Sequence, residues 1–226
     1  MALAVGWTGL LFFSHSLSVG FIKIMTNKLD TIKNILDNYH LHYQITEFIN
    51  LANIQSISIK EWFKEELKFS LANRGEVDKE AFTSEFIVVP FLKEAWKRHS
   101  QLNLFSHVQI KADDIIVIPD YLISSKDPTG YKTIYQPLLL TVEAKNDNLD
   151  EGWTQALLQS VVCQKINGTL DIPILSIVTT GDVWQFGKLD KQNFIKHPLS
   201  VSIQSTEDLL GVLDVLFSEC EKVIPH

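Results

Sequence analysis

Cysteine is scarce in this chain: only Cys163 and Cys220 occur among 226 residues, and no C-x-x-C spacing exists. That argues against a disulfide framework or a thiolate zinc site. Cys163 lies in an apolar helical stretch, so both thiols read as buried groups in a reducing, cytoplasmic compartment. Basic charge is also in deficit, with 20 Lys and Arg against 27 Asp and Glu and a net charge of -7. No global basic field draws such a chain to nucleic acid, so a polyanionic partner has to be met by a local basic patch or a metal. Internal repeats and low-complexity tracts are absent. Residues 1–22 contain no Lys, Arg, Asp or Glu at all. Their apolar centre, Leu10 to Phe13, lacks the positive flank of a secretory signal. Ser14, His15, Ser16 and Ser18 interrupt it, so a transmembrane helix is poorly supported and no membrane partner is expected. Residues 1–24 read as an extension outside the fold, with Met25 as an alternative start.

What remains is ordinary globular composition, 46% hydrophobic and 21% charged, enough for one domain over residues 25–226 with a sizeable core. A helical layer is expected over residues 26–75. Leu29, Ile32, Leu36 and Tyr39 share one face, and Ile45, Phe48, Ile49 and Ala52 another. Ser58 and Glu61 have capping-box spacing before Trp62, Phe63, Leu67 and Leu71. A further helix is predicted from about residue 77 to 99, with Ala81, Val88, Leu92 and Ala95 at helical spacing and Glu85 inside that stripe. An acid there either reaches the stripe's edge or has a partner. Pro90 kinks the helix or starts a new segment. Lys93, Lys97, Arg98 and His99 form the densest basic cluster, which reads as a solvated helix end.

Strands follow. Leu104, Ser106, Val108 and Ile110 alternate with Phe105, His107 and Gln109; Ala112, Asp113 and Asp114 turn the chain; Ile115 to Ile118 run into Pro119-Asp120. If that strand continues through Tyr121, Leu122 and Ile123, Asp120 shares a face with Ile116, Ile118 and Leu122. Asp127, Pro128, Thr129 and Gly130 are a strong turn signal. The chain is then organised around residues 136–155, QPLLLTVEAKNDNLDEGWTQ. Leu138 to Val142 suit a strand buried on both faces. Period-two alternation puts Glu143 and Lys145 side by side on one face, and Val142 and Ala144 on the other. A carboxylate and an ammonium at the end of a buried strand are costly unless something uses them. Asn148 and Glu151 then start a helix in capping-box fashion. On it, Trp153, Ala156, Leu157 and Val161 form the packed face, with Gln155 and Gln159 one turn apart on another. Strands over residues 174–180 and 183–186 and a helix at about 206–222, with Ser205 and Asp208 at its start, complete the chain. Trp184 and Phe186 are expected in the core. The last helix has an apolar face wide enough for the core or for a homodimer partner.

Pro119-Asp120 followed by Glu143-Ala144-Lys145 resembles the PD-(D/E)XK nuclease superfamily, over roughly residues 77–188. Context carries the likeness, because Glu66-Leu67-Lys68 also spells E-x-K in a helical pattern with no aspartate-bearing strand before it. The resemblance implies an α/β fold, a central mixed β-sheet flanked by helices with a restriction-endonuclease-like core, here with the additional helical N-terminal layer. It implies metal-dependent hydrolysis of phosphodiesters in nucleic acid, with DNA the first candidate. Asp120 and Glu143, with the Ala144 carbonyl, would hold Mg²⁺ or Mn²⁺. Lys145 would orient or deprotonate the attacking water and offset charge on the phosphate. Glu85 would be an auxiliary acid and Gln155 a contact to substrate backbone or lysine, although an amide bonded within the fold is an equal reading. The pattern in some relatives is Gln-x-x-x-Tyr, and here its last position is Gln159. The alternatives are a catalytically inactive, nuclease-derived binding or interaction module, and a protein whose acids are merely paired.

Overall fold

The computed structural model describes residues 31–75, 77 and 79–224. The expectations for residues 1–24, for Met25 and for the start of the helical layer through Leu29 lie outside them. Thr31 caps the first helix, α1 (Ile32–Tyr39), by accepting from the Asn34 amide at 3.2 Å; His40, at φ 54°, ends it. Strand β1 (His42–Ile45) follows, then a short 3₁₀ turn (Leu51–Asn53) and α2 (Glu61–Ala72). One long helical segment contains α3 (Lys79–Thr83), a π-helical turn (Ser84–Val88) and α4 (Val89–Trp96). The remaining elements are β2 (Leu102–Ser106), β3 (Ile110–Ala112), β4 (Ile115–Val117), β5 (Tyr121–Ser125), β6 (Tyr135–Ala144), α5 (Leu149–Asn167), β7 (Ile174–Thr179), β8 (Val183–Asp190), β9 (Asn193–Lys196), β10 (Val201–Ser202) and α6 (Thr206–Lys222).

The fold is α/β, with an eight-stranded mixed sheet in the order β1-β9-β8-β7-β6-β5-β2 and β10 paired to β8. Strands β5 and β6 form the antiparallel hairpin expected around Asp127, with Tyr121 opposite Val142. Strand β6 runs parallel to β7, a pairing that needs a crossover, and α5 supplies it. Helices cover both faces. On one, α4 and α6 pack against the sheet through Phe91, Leu92, Leu213, Leu216 and Phe217, with Trp184 and Phe186 beneath. Burying each such side chain fully is worth about 1.5–3 kcal/mol. On the other, α1 and α5 pack through Ile35, Trp153 and Leu157 against Phe194. With helices on both faces, the middle of β6 reads as a continuous apolar run, and residues 138–142 are all fully buried. The apolar face of α6 serves the chain's own core: Leu209, Leu210, Val212, Leu213, Leu216 and Phe217 are buried there. Cys163 and Cys220 are buried free thiols. Among the described residues no helix is long and apolar enough to cross a membrane.

Several expectations are corrected. The N-terminal layer is only partly helical: Ile45 ends a strand parallel to β9 and is 62% exposed, while Phe48 and Ile49 turn into the core beside His197. The edge of β9 offers unpaired backbone groups, and that offer outweighs a short helical periodicity. Helix α2 starts at Glu61 with Lys60 before it, so Ser58 is no cap. Ser205 makes no side-chain cap bond either, and Asp208 accepts from Ser56 instead. The predicted alternation across residues 104–110 splits at His107, which takes φ 50°; β3 and β4 leave the main sheet as a separate hairpin. Asp120 therefore sits between β4 and β5 rather than within one strand. Pro90 does open a new segment, at the start of α4. The basic cluster ends that helix, with Lys97 and Arg98 paired to Glu94 and Asp214.

Candidate functional site

The end of β6 gathers the charged groups. Glu143 and Lys145 project from one face as period-two geometry requires, with Lys145 Nζ 3.4 Å from Glu143 Oε2. Both residues are buried, at 3% and 6% relative exposure. Asp120 arrives from the β5 side, where its Oδ2 accepts from the Ala144 amide at 2.7 Å. An extended residue turns its amide and carbonyl to the same side, so the Ala144 carbonyl faces Asp120 as well. On its other oxygen Asp120 meets His107, whose Nε2 lies 3.5 Å from Oδ1. The Asp120 carbonyl accepts from the His107 amide at 2.9 Å, while Ser106 Oγ sits 2.8 Å from His107 Nδ1. The sequence-predicted group Asp120, Glu143, Ala144 and Lys145 thus meets at one strand end.

Electrostatics follow from the burial. Desolvation, then the charge of Asp120, push the Glu143 carboxyl up to about 8, against the opposing pull of Lys145 and Gln159. Burial also raises Asp120, although the Ala144 amide, Lys145 and His107 favour its charged form. For Lys145, burial pulls the ammonium down, but Glu143, Glu80 and Asp120 outweigh it and hold the pKa above the ordinary value. This lysine is a cation in a nest of acids.

Two sequence-predicted partners are displaced. Glu85 is exposed and makes no ion pair with the site. Its charge is felt by the Tyr121 hydroxyl, which burial, above all, pushes up to about 12. The buried stripe runs through Ser84, Ile87, Val88, Phe91, Leu92 and Ala95, while Ala81 is exposed, so Glu85 falls just outside it. The acid that reaches the site from this segment is Glu80, with Oε1 3.8 Å from Lys145 Nζ. On α5, the glutamine bonded to Glu143 is Gln159, donating through Nε2 to Oε1. Gln155 is half-buried one turn earlier, with an Oε1 that has no hydrogen-bond partner among the described residues.

The seating of α5 on the strand decides which glutamine meets Glu143. Gly152 lies against Lys145: a Cβ there would stand 3.1 Å from Lys145 Cγ and 2.5 Å from Val178 Cγ1. Gln159 lies seven residues after Gly152, two turns along the same face of α5, and its amide bonds Glu143. Asn148 sets this placement by accepting from the Glu151 amide at 3.1 Å, the cap expected from sequence. Gly152→Ala is expected to cost about 1–3 kcal/mol through overpacking, more than the roughly 1 kcal/mol that helix propensity returns. Urea unfolding would measure it; a stability equal to wild type would mean that α5 shifts freely over the strand.

The donor set suits a hard cation with few protein ligands. Among the described residues no group of three or more His, Cys, Asp or Glu could hold a metal ion. Mg²⁺, however, commonly takes one or two carboxylates and completes its shell with waters and substrate phosphates. Asp120 and Glu143 are two carboxyls whose charged forms are disfavoured by burial, and strand geometry directs the Ala144 carbonyl to the edge where Asp120 lies. A divalent ion would relieve both.

Glu80, Gln159 and His107 were not singled out from sequence as members of this group. For Gln159 the signal was its place one turn after Gln155 on the same helix. Glu80 and His107 depend on where a π-turn and a departing hairpin place them. No known protein-family model matches the chain, and a comparison with curated proteins finds no match.

Proposed function

We propose that the chain is a metal-dependent nuclease of the PD-(D/E)XK type, hydrolysing phosphodiester bonds at the end of β6. The observation that carries this reading is the convergence there of Asp120 and Glu143 with the Lys145 ammonium, 3.4 Å from the second carboxyl. Asp120, Glu143 and the Ala144 carbonyl would hold Mg²⁺, or Mn²⁺ in its place. When bound, the ion supplies charge neutralisation at the phosphate and activation of water.

The protein's own groups do the positioning. Gln159 and Lys145 fix the Glu143 carboxylate, and the Ala144 amide fixes Asp120. Lys145, held cationic by its neighbours, donates to an attacking water or to a phosphoryl oxygen, and so orients and neutralises rather than serving as a base. The water oxygen adds to phosphorus, giving up a proton to solvent, as the bond to the leaving oxygen breaks, and the leaving oxygen takes up a proton from solvent. The expected setting is cytoplasmic, in keeping with two buried free thiols. A second reading, a nuclease-derived module that binds without turnover, is favoured by the bonds that already occupy Glu143.

Time-dependent cleavage in Mg²⁺, assayed on single-stranded, duplex, branched and RNA substrates, separates the two; tight binding without cleavage of any would select the second. Metal binding has its own readout. At about ten times its dissociation constant, Mg²⁺ should stabilise the fold by about 1.4 kcal/mol, raising Tm by about 3–6 °C. Asp120→Ala should abolish that rise. A melt indifferent to Mg²⁺ and Mn²⁺ in the wild type would remove the metal from the proposal.

A further inference from the structure

We propose that Lys79 is a second phosphate-binding cation: it and Lys145 take two consecutive phosphates of a nucleic-acid chain, displacing the carboxylates of Asp147 and Glu80 that hold them in the free protein. This rests on the hydrolase reading for the scissile phosphate at Lys145, while the role of Lys79 follows from its own contacts. Two ion pairs cross between the start of α3 and the residues at the end of β6. From the strand, Lys145 Nζ reaches Glu80 Oε1 at 3.8 Å; from the helix, Lys79 Nζ reaches Asp147 Oδ1 at 3.3 Å. Lys79 and Glu80 are adjacent in the chain, and Asp147 stands two residues past Lys145, a span of at most about 7 Å. The two pairs are therefore neighbours on both sides of the contact.

Exposure decides which member of each pair can leave. The side chains of Lys145 and Lys79 are 7% and 23% exposed, against 40% for Glu80 and 84% for Asp147. Both ammoniums are seated in the protein, whereas both carboxylates lie at its surface and can turn to water. An ion pair exposed to that degree contributes little to stability, and phosphate is the other anion that binds an ammonium through charge-assisted hydrogen bonds.

The neighbouring cation is committed elsewhere. Arg74, just before α3, donates to Asp182 Oδ2 at 2.7 Å and to the Thr180 carbonyl at 2.9 Å, and its side chain is 13% exposed. On a chain of net charge -7, a phosphodiester backbone has to be met by a few placed cations, and Lys79 is the one whose partner is both acidic and loosely held beside the site. Two seats call for a substrate with a phosphate next to the scissile one, an oligonucleotide and not an isolated phosphodiester.

The test is fluorescence anisotropy with a labelled single-stranded oligonucleotide, and with a duplex of the same sequence, in Ca²⁺ over a range of salt concentrations. Lys79→Gln should weaken binding severalfold. It should also flatten the slope of log affinity against log salt by about 0.7 on the single strand or about 0.9 on the duplex, the share of one phosphate contact. Asp147→Asn should tighten binding by about two- to fivefold, the worth of an exposed ion pair. Removing any acid favours a polyanion, so the decisive comparison is the double variant: Asp147→Asn should bring no gain once Lys79 is glutamine. Lys79→Arg keeps the charge, should keep the slope, and covers the case in which glutamine disturbs the fold. An unaltered slope in Lys79→Gln, or an equal gain from Asp147→Asn in both backgrounds, overturns the proposal. So does a failure of the wild type to bind either oligonucleotide. The two proposals fail separately. A slope that depends on Lys79, without cleavage in Mg²⁺, sinks the hydrolase and keeps the second seat. Cleavage that needs Lys145, with a slope indifferent to Lys79, does the reverse.

Discussion

Lys145→Ala is expected to slow single-turnover cleavage by about 10²- to 10⁴-fold, the usual loss when a positioned proton-transfer or charge-stabilising group is removed. Metal and substrate binding should survive, because the ammonium is not a metal ligand. The structure sharpens this expectation in two ways. Glu143, Glu80 and Asp120 keep the amine protonated, so its contribution is charge and donated hydrogen bonds. Lys145→Arg keeps a charge and donors but puts a planar guanidinium where a compact ammonium sits between Glu143 and Glu80, and should restore only part of the rate. Removing the cation also leaves buried carboxyls uncompensated, so the thermal shift with Mg²⁺ should grow in the alanine variant. Equal single-turnover traces for wild type and Lys145→Ala on every substrate would refute the assigned role.

The second large effect is a pH-dependent stability that disappears in Glu143→Gln. The folded-state pKa of Glu143 is raised from 4.5 to about 8, first by burial and then by Asp120. A carboxyl raised in this way contributes stability that is fully present below 4.5. That contribution is lost as pH climbs through 8, because the unfolded chain releases the proton first. Metal-free wild type should lose on the order of a few kcal/mol across that window, while Glu143→Gln, with nothing to titrate there, should lose correspondingly less. Asp120, raised in the same direction, adds a slope common to both proteins. Mg²⁺ at pH 8 should return the lost stability to wild type alone, since an amide is a poorer ligand than a carboxylate. Denaturant midpoints taken at intervals from pH 5 to 8.5 check this; parallel curves for the two proteins would show that Glu143 titrates normally.

The parts of this molecule that were legible in sequence are those settled within a few residues. Leu138 to Val142 announce a doubly covered strand because apolar side chains fall on both faces of the run, with Thr141 its one polar member. Asn148 and Glu151 announce a helix start because the cap is a bond between near neighbours, and it forms. Glu143 and Lys145 follow from alternation alone, and Asp127 with its turn delivers Asp120 to them. What escaped the sequence depends on partners far along the chain. His42 to Ile45 become a strand because residues 193–196 offer an open edge, not because of anything local to them. Glu80 replaces Glu85 because helical phase across residues 79–96 is set by packing against the sheet and α6. Gln159 replaces Gln155 because the seating of α5, with Gly152 against Lys145, is set by packing on the sheet. The site's chemistry could be named from residue types, but its membership had to be counted in three dimensions.

The π-helical turn at Ser84–Val88 carries a consequence of a different kind. It holds one residue more than an α-helical turn would, so the segment before it is wound about 100° further round than α-helical continuation would place it. That is the winding at which Glu80 meets Lys145. Here the number of residues, and not their identity, aims the side chains. A lineage could retune this wall of the cleft by gaining or losing a single codon in the turn, leaving every chemical group in place and pointing it elsewhere.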